Sequence, residues 1–163
     1  MDLFENIDRE QIVCFNERKA GMAKGVVRPL VEKNDYANGP LRSGYGKDMV
    51  LVVPFSCEVR VKSICLIGGP DGEAPSKLKL YKNEEAVDIN IQEDKRPIQE
   101  IDLNQGEMEY PVNLTKFSNL SNIVLGFDGN FGAKKSALLY VGFKGDRLRN
   151  KVKVVDTVYE VRA

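Results

Sequence analysis

The chain has 163 residues, 42% of them hydrophobic, with 24 basic and 24 acidic side chains and no histidine. That length can close one domain around a sizeable core without disulfide or metal staples, and the balanced charge removes the electrostatic surplus with which nucleic-acid and anionic-membrane binders hold phosphates. The missing imidazole excludes Ser-His-Asp and Cys-His nucleophiles together with the commonest transition-metal ligand.

Near the start, Asp2 precedes Glu5 in a loose capping pattern, and Leu3, Phe4, Ile7 and Ile12 can form the apolar side of a short helix. Residues 20–48 are broken repeatedly by Gly21, Gly25, Pro29, Gly39, Pro40, Gly44 and Gly46, which predicts a long irregular arm wrapped on the core. Strand texts follow. Residues 49–55 are continuously apolar, 59–69 begin with alternation, and 76–83 place Leu78 and Leu80 on one face against Lys77, Lys79 and Tyr81 on the other. Further strands are expected at 98–104, 107–117, 119–129, 136–146 and 151–161, roughly 8–12 residues apart as in a sandwich or barrel. With no helical stretch between them, an antiparallel β-sandwich is the economical arrangement.

Cys14, Cys57 and Cys65 lack C-x-x-C spacing, and two of them sit in apolar strand-like runs, as reduced core thiols of an intracellular protein do. No apolar stretch has the length of a membrane span, and the opening residues lack the basic start and apolar run of a signal peptide. The expectation is a monomeric protein of the cytoplasm or nucleus, with neither nucleic acid nor membrane as partner.

The segment Gly129-Asn130-Phe131-Gly132-Ala133-Lys134-Lys135-Ser136 comes within one residue of a phosphate-binding loop. The second glycine of that motif is replaced by Lys134, and the text after Ser136 is a strand rather than the helix whose dipole would hold the anion. It reads as a turn. The pairs Glu100 with Asp102 and Glu107 with Glu109 share strand faces as paired catalytic or calcium-binding carboxylates could, but neighbours on one strand are ordinarily solvated surface. Acidic residues gather between 84 and 109, whereas Lys134, Lys135, Lys144, Arg147, Arg149, Lys151 and Lys153 come later. Alternating solvent faces account for this, and a bipolar surface steering a charged partner is the functional alternative.

Several separated texts occur in an order that resembles a known family. They are Pro54-Phe55, then Val61-Lys62-Ser63-Ile64 leading to Ile67-Gly68-Gly69-Pro70-Asp71-Gly72, then residues 74–83. Glu109-Tyr110-Pro111 with Thr115-Lys116-Phe117 follows, and Asn130-Phe131-Gly132-Ala133 runs on to Leu139-Tyr140-Val141-Gly142-Phe143-Lys144-Gly145. Over about residues 14–146 the chain is similar to the PITH domain, a proteasome-interacting domain found attached to a thioredoxin-like protein and also alone. The resemblance implies a jelly-roll β-sandwich of the galactose-binding-like type, one domain over 1–163 with its core at about 14–161. It also implies a binding or regulatory module for the regulatory particle of the proteasome, without a catalytic site or cofactor of its own. No W-C-G-P-C-like motif is present, so the stand-alone type is implied. The chain departs from the pattern at Arg28-Pro29-Leu30, where a tryptophan often follows the proline, at residues 43–48, where an acidic run is typical, and at Lys134-Lys135-Ser136.

Candidate partner-binding residues are therefore Arg28, Tyr36, Tyr45, Asp48, Asp71, Phe131, Lys134 and Lys135, with Phe131 expected to fold back on the core. The alternative is a glycan or small-ligand binder that uses the loop ends around Tyr36, Tyr45, Asp71 and Phe131.

Overall fold

The computed structural model describes residues 1–150. Its strands are β1 (Val13–Phe15), β2 (Leu41–Arg42), β3 (Met49–Gly68), β4 (Pro75–Lys82), β5 (Gln99–Asp102), β6 (Glu107–Pro111), β7 (Leu120–Asn130) and β8 (Ala137–Asn150). Two short helices, α1 (Met22–Val26) and α2 (Ile91–Asp94), lie in the connections. All the strand ladders are antiparallel.

The 20-residue β3 joins two sheets. Its first half runs between β1 and β7, with β4 and then β5 beyond β7. Its second half runs between β6 and β8, with β2 beyond β8. Two separate strands, 49–55 and 59–69, are expected from the sequence, but they are one continuous strand. The alternation of buried Val53, Phe55, Cys57, Val59 and Val61 is unbroken. The ladder register shifts between Pro54 and Val59, and proline is tolerated at such an irregularity.

One apolar core fills the space between the sheets, with Leu51, Phe55, Leu80, Phe127 and Phe143 among its members. Phe55 and Phe143 meet edge to face across it, ring centroids 6.0 Å apart. Each outer face is also partly covered. Ile91 of α2 packs with Val50, Tyr81 and Val124, while Leu30 of the arm packs with Cys65, Ile67 and Tyr140.

The short helical stretch expected at the N-terminus takes the form of two 3-10 turns, Phe4–Asn6 and Arg9–Gln11, with Asp2 accepting a hydrogen bond from the Phe4 N–H at 3.1 Å. Leu3, Ile7 and Ile12 are buried as the apolar pattern requires, but by docking onto the sheets. The arm is less irregular than expected, since it contains α1, the 3-10 turn Leu30–Glu32 and β2. The strand expected at 151–161, with Lys151 and Lys153, lies outside the described residues.

Cys14, Cys57 and Cys65 are all free and buried. Burial, then the nearby Glu109 carboxylate, pushes the Cys65 thiol up to about 11, and burial followed by Glu17 raises Cys14 as well. Since the thiolate is the reactive form, a disulfide reagent in mildly alkaline buffer should titrate the thiols together only after denaturation. A rapid burst of one equivalent in the native protein would contradict this packing.

Candidate binding site at the loop end of the sandwich

Three connections and the residue after β1 meet at one end of the sandwich. The β2–β3 and β7–β8 connections are locked by Ser43 N–H donating to the Ser136 carbonyl at 3.0 Å and Ser136 N–H donating to Ser43 Oγ at 2.9 Å. Both serines are fully buried. Gly129 N–H donates to Asp48 Oδ1 at 3.0 Å, and Phe131 N–H donates to the Gly72 carbonyl of the β3–β4 connection at 3.0 Å. Gly72 has φ +82°, and a Cβ there would lie 2.9 Å from the Phe131 carbonyl, so glycine is needed twice over.

The loop that carries Tyr45 is held by its own carbonyls. Asn16 Nδ2 donates to the carbonyls of Tyr45 at 2.6 Å and Asp48 at 2.7 Å, while Asn16 Oδ1 accepts from Tyr45 N–H at 2.9 Å. Ser43 Oγ donates to the Gly46 carbonyl at 2.7 Å, and the Lys135 ammonium donates to the Gly44 carbonyl. The same ammonium stands 5.7 Å from the centroid of the Tyr45 ring, within cation–π range. Tyr45 is thus a large ring, 89% exposed, on a backbone with little freedom left to lose. Beside it a groove of about 480 Å³ runs between the 45–48 loop and Ile89, Asn90, Gln92 and Glu93. Truncating Asn16 to alanine removes three hydrogen bonds to one loop and should free it. Faster amide exchange confined to residues 44–48 is expected, and exchange unchanged from wild type would show the loop is held otherwise.

Tyr45, Asp48, Phe131 and Lys135 come together at this end through the contacts just described, and Asp71 and Lys134 are the chain neighbours of Gly72 and Lys135 there. Arg28 and Tyr36 do not. Arg28 is only 5% exposed, and its guanidinium donates to the carbonyls of Gly25, Glu32, Lys33 and Leu139 at 2.7–3.1 Å. It holds the arm onto β8 and is unavailable to a partner, because every face of the group is spent internally. Its guanidinium carbon also lies 6.0 Å from the Tyr36 ring centroid and 5.4 Å from that of Tyr140. Phe131, expected on the core, is 40% exposed, because its N–H is tied to Gly72 and Asn130 Oδ1 closes the turn by accepting from Gly132 N–H.

The charged groups are largely interleaved. Glu84 pairs with Lys95, Asp102 with Lys77, Glu107 with Lys33, Glu109 with Lys144, and Glu58 with Arg149. Hydrogen bonds from Lys144 and Ser63 hold the Glu109 carboxyl below the usual carboxylate range. Asp48 and Lys135 are both tied into backbone, so the cluster offers shape, two exposed rings and a lysine rather than a proton-transfer pair. Among the described residues, no group of three or more Cys, Asp or Glu side chains could hold a metal ion. No described helix is long and apolar enough to cross a membrane. Asn16, Ser43 and Ser136 escaped the sequence reading; isolated small polar residues between strands carry no signal of the loops they join.

Two antiparallel sheets sharing one long strand, with connections gathered at one end, define a jelly-roll sandwich of the galactose-binding-like type. Among solved structures the chain is similar to CpGH89CBM32-5 from Clostridium perfringens, solved in complex with GalNAc-beta-1,3-galactose. The TM-score is 0.62 at 11% identity, over 88% of this chain and 99% of that one, a likeness of fold alone. The sequence places it more narrowly: the model of the PITH domain matches residues 1–163, and the chain belongs to the PITH domain family. It is 31% identical over 147 residues to PITH domain-containing protein 1 of Homo sapiens, spanning 88% of this chain and 69% of that protein. It is 32% identical over 171 residues to PITH domain-containing protein ZK353.9 of Caenorhabditis elegans, spanning 99% of this chain and 79% of that protein.

Proposed function

We propose that this chain is a non-catalytic protein-interaction module of the cytoplasm or nucleus that associates with the regulatory particle of the proteasome through the loop end of its sandwich. The observation that carries the choice of surface is Tyr45, an 89% exposed ring on a loop fixed by Asn16, Ser43 and Lys135. Exposed aromatic residues on rigid supports are the usual anchors of protein interfaces. Phe131 and Lys134 extend the same end. The partner follows from the family resemblance, and the absence of histidine supports a role without catalysis. Affinity capture from cell lysate under gentle salt tests both parts. Regulatory-particle subunits should be enriched over an unrelated sandwich domain, and lost when Tyr45 and Phe131 are both alanine. Equal recovery on the control domain removes the proteasome reading.

A second reading is favoured by the groove beside Tyr45, which has room for a sugar ring against Tyr45, Asn16 and Asn90. In that case the loop end takes a glycan or other small ligand. A glycan array, run with and without calcium, separates the two readings, since a silent array removes this one.

A further inference from the structure

The β6–β3–β8 sheet ends in an open edge. Among the described residues β6 pairs with β3 and with no other strand, and every residue of it except Tyr110 is exposed. Its register runs from Pro111 opposite Ser63 to Glu107 opposite Ile67. The bonds that flank this ladder fix which backbone groups face outward. Gly68 N–H donates to the Gly106 carbonyl at 3.1 Å, and Val112 N–H donates to the Lys62 carbonyl at 3.0 Å. Antiparallel neighbours alternate between bonded and non-bonded pairs, so Gly106, Met108, Tyr110 and Val112 direct their groups at β3. The N–H and carbonyl groups of Glu107 and Glu109, and the carbonyl of Pro111, therefore point away from it. No backbone group of the described residues bonds to them.

The side chains along that edge say which strand fits it. Those of Glu107 and Glu109 share the outer face and are 49% and 48% exposed. Lys144 reaches Glu109 from β8, beyond β3, and Lys33 reaches Glu107 from the arm, whose Leu30 packs on Cys65, Ile67 and Tyr140. Both lysines hold their carboxylates from the side of the sheet, so a strand laid along the edge meets the glutamates first. Side chains directly opposite on an antiparallel pair lie roughly 4.5–5.5 Å apart, where opposite charges stabilise and like charges destabilise. Lys or Arg fits opposite each glutamate. Between them, on the other face, Met108 is 43% exposed and takes an apolar neighbour. A second copy of β6 does not fit: pairing through the outward groups sets glutamate against glutamate, or against Pro111, which has no N–H. The same residues guard the edge against indiscriminate strands.

We propose that β6 is a docking edge for an extended segment of a partner protein, which adds as a further antiparallel strand with Lys or Arg opposite Glu107 and Glu109 and an apolar residue between them. It uses none of the loop-end residues, so it does not rest on the reading above.

The test is titration of the full chain with the capped peptide Thr-Val-Lys-Val-Lys, followed by backbone amide NMR. Saturable shifts centred on Glu107 and Glu109 are expected, with hydrogen exchange of those two amides slowed at saturation and binding kept in Tyr45→Ala. The Met108 and Tyr110 amides, already bonded to β3, should be protected before any peptide is added. N-methylation of both lysine amides, whose N–H groups would donate to the Glu107 and Glu109 carbonyls, should abolish binding. N-methylation of the valine amides, which point away from β6, should not. The peptide Thr-Val-Glu-Val-Glu should bind about tenfold more weakly or worse, and the double variant Glu107→Lys, Glu109→Lys should reverse that order. The peptide comparisons alone decide the matter if the double variant does not fold. Absence of saturable shifts, shifts centred on β5, loss of binding in Tyr45→Ala, or equal binding of the lysine-methylated or the glutamate peptide overturns the proposal.

Discussion

Replacing Arg28 with alanine should lower the unfolding free energy by about 2–4 kcal/mol, because buried carbonyls left short of a donor cost about 1–3 kcal/mol each before the arm relaxes. The loss has three physical parts. Four carbonyls, of Gly25, Glu32, Lys33 and Leu139, lose a donor, Glu32 keeping the Asp35 N–H; the arm loses one of its ties to β8; and the Tyr140 ring loses the guanidinium stacked 5.4 Å from its centroid. Arg28→Lys should recover less than half, because one ammonium cannot reproduce a planar fork that reaches four acceptors. Urea unfolding decides the matter. A lower midpoint at unchanged slope is expected, and a midpoint within error of wild type would show that Arg28 is dispensable to the fold.

Tyr45→Ala should weaken partner binding by about 2 kcal/mol, roughly thirtyfold, the loss typical of an interface anchor. Stability should be nearly untouched, since the ring is 89% exposed and its backbone hydrogen bonds to Asn16 do not involve the side chain. This combination separates an anchor from a structural residue. Tyr45→Phe should retain most of the affinity if the ring face makes the contact. Binding measured by interferometry against purified regulatory particle gives the answer, and affinity unchanged in Tyr45→Ala would move the interface elsewhere.

The strands were legible because period-two alternation is local. Leu78 and Leu80 announced one face of β4, and both are fully buried. The break expected between 55 and 59 does not occur, because β3 passes from one sheet to the other there while its ladder is irregular. The four-residue α2 gave no helical period to detect, although Ile91 closes the outer cluster around Tyr81. Arg28 misled for a different reason. Arginine next to proline in a polar arm reads as surface, and only the packing of that arm on β8 reveals four internal acceptors.

By itself, the sequence determined the β-sandwich class, the family, the burial of the cysteines and the exclusion of imidazole chemistry, because alternation, composition and motif order are all properties of neighbouring residues. Tertiary structure decided which loops make a site. Asn16 reaches Tyr45 across 29 positions, Asp48 reaches Gly129 across 81, and Lys135 reaches Gly44 across 91. None of these pairs has a local signature: each is a polar or charged side chain meeting a backbone group that any residue could have supplied. They form because two sheets closing on one core bring those connections to the same end.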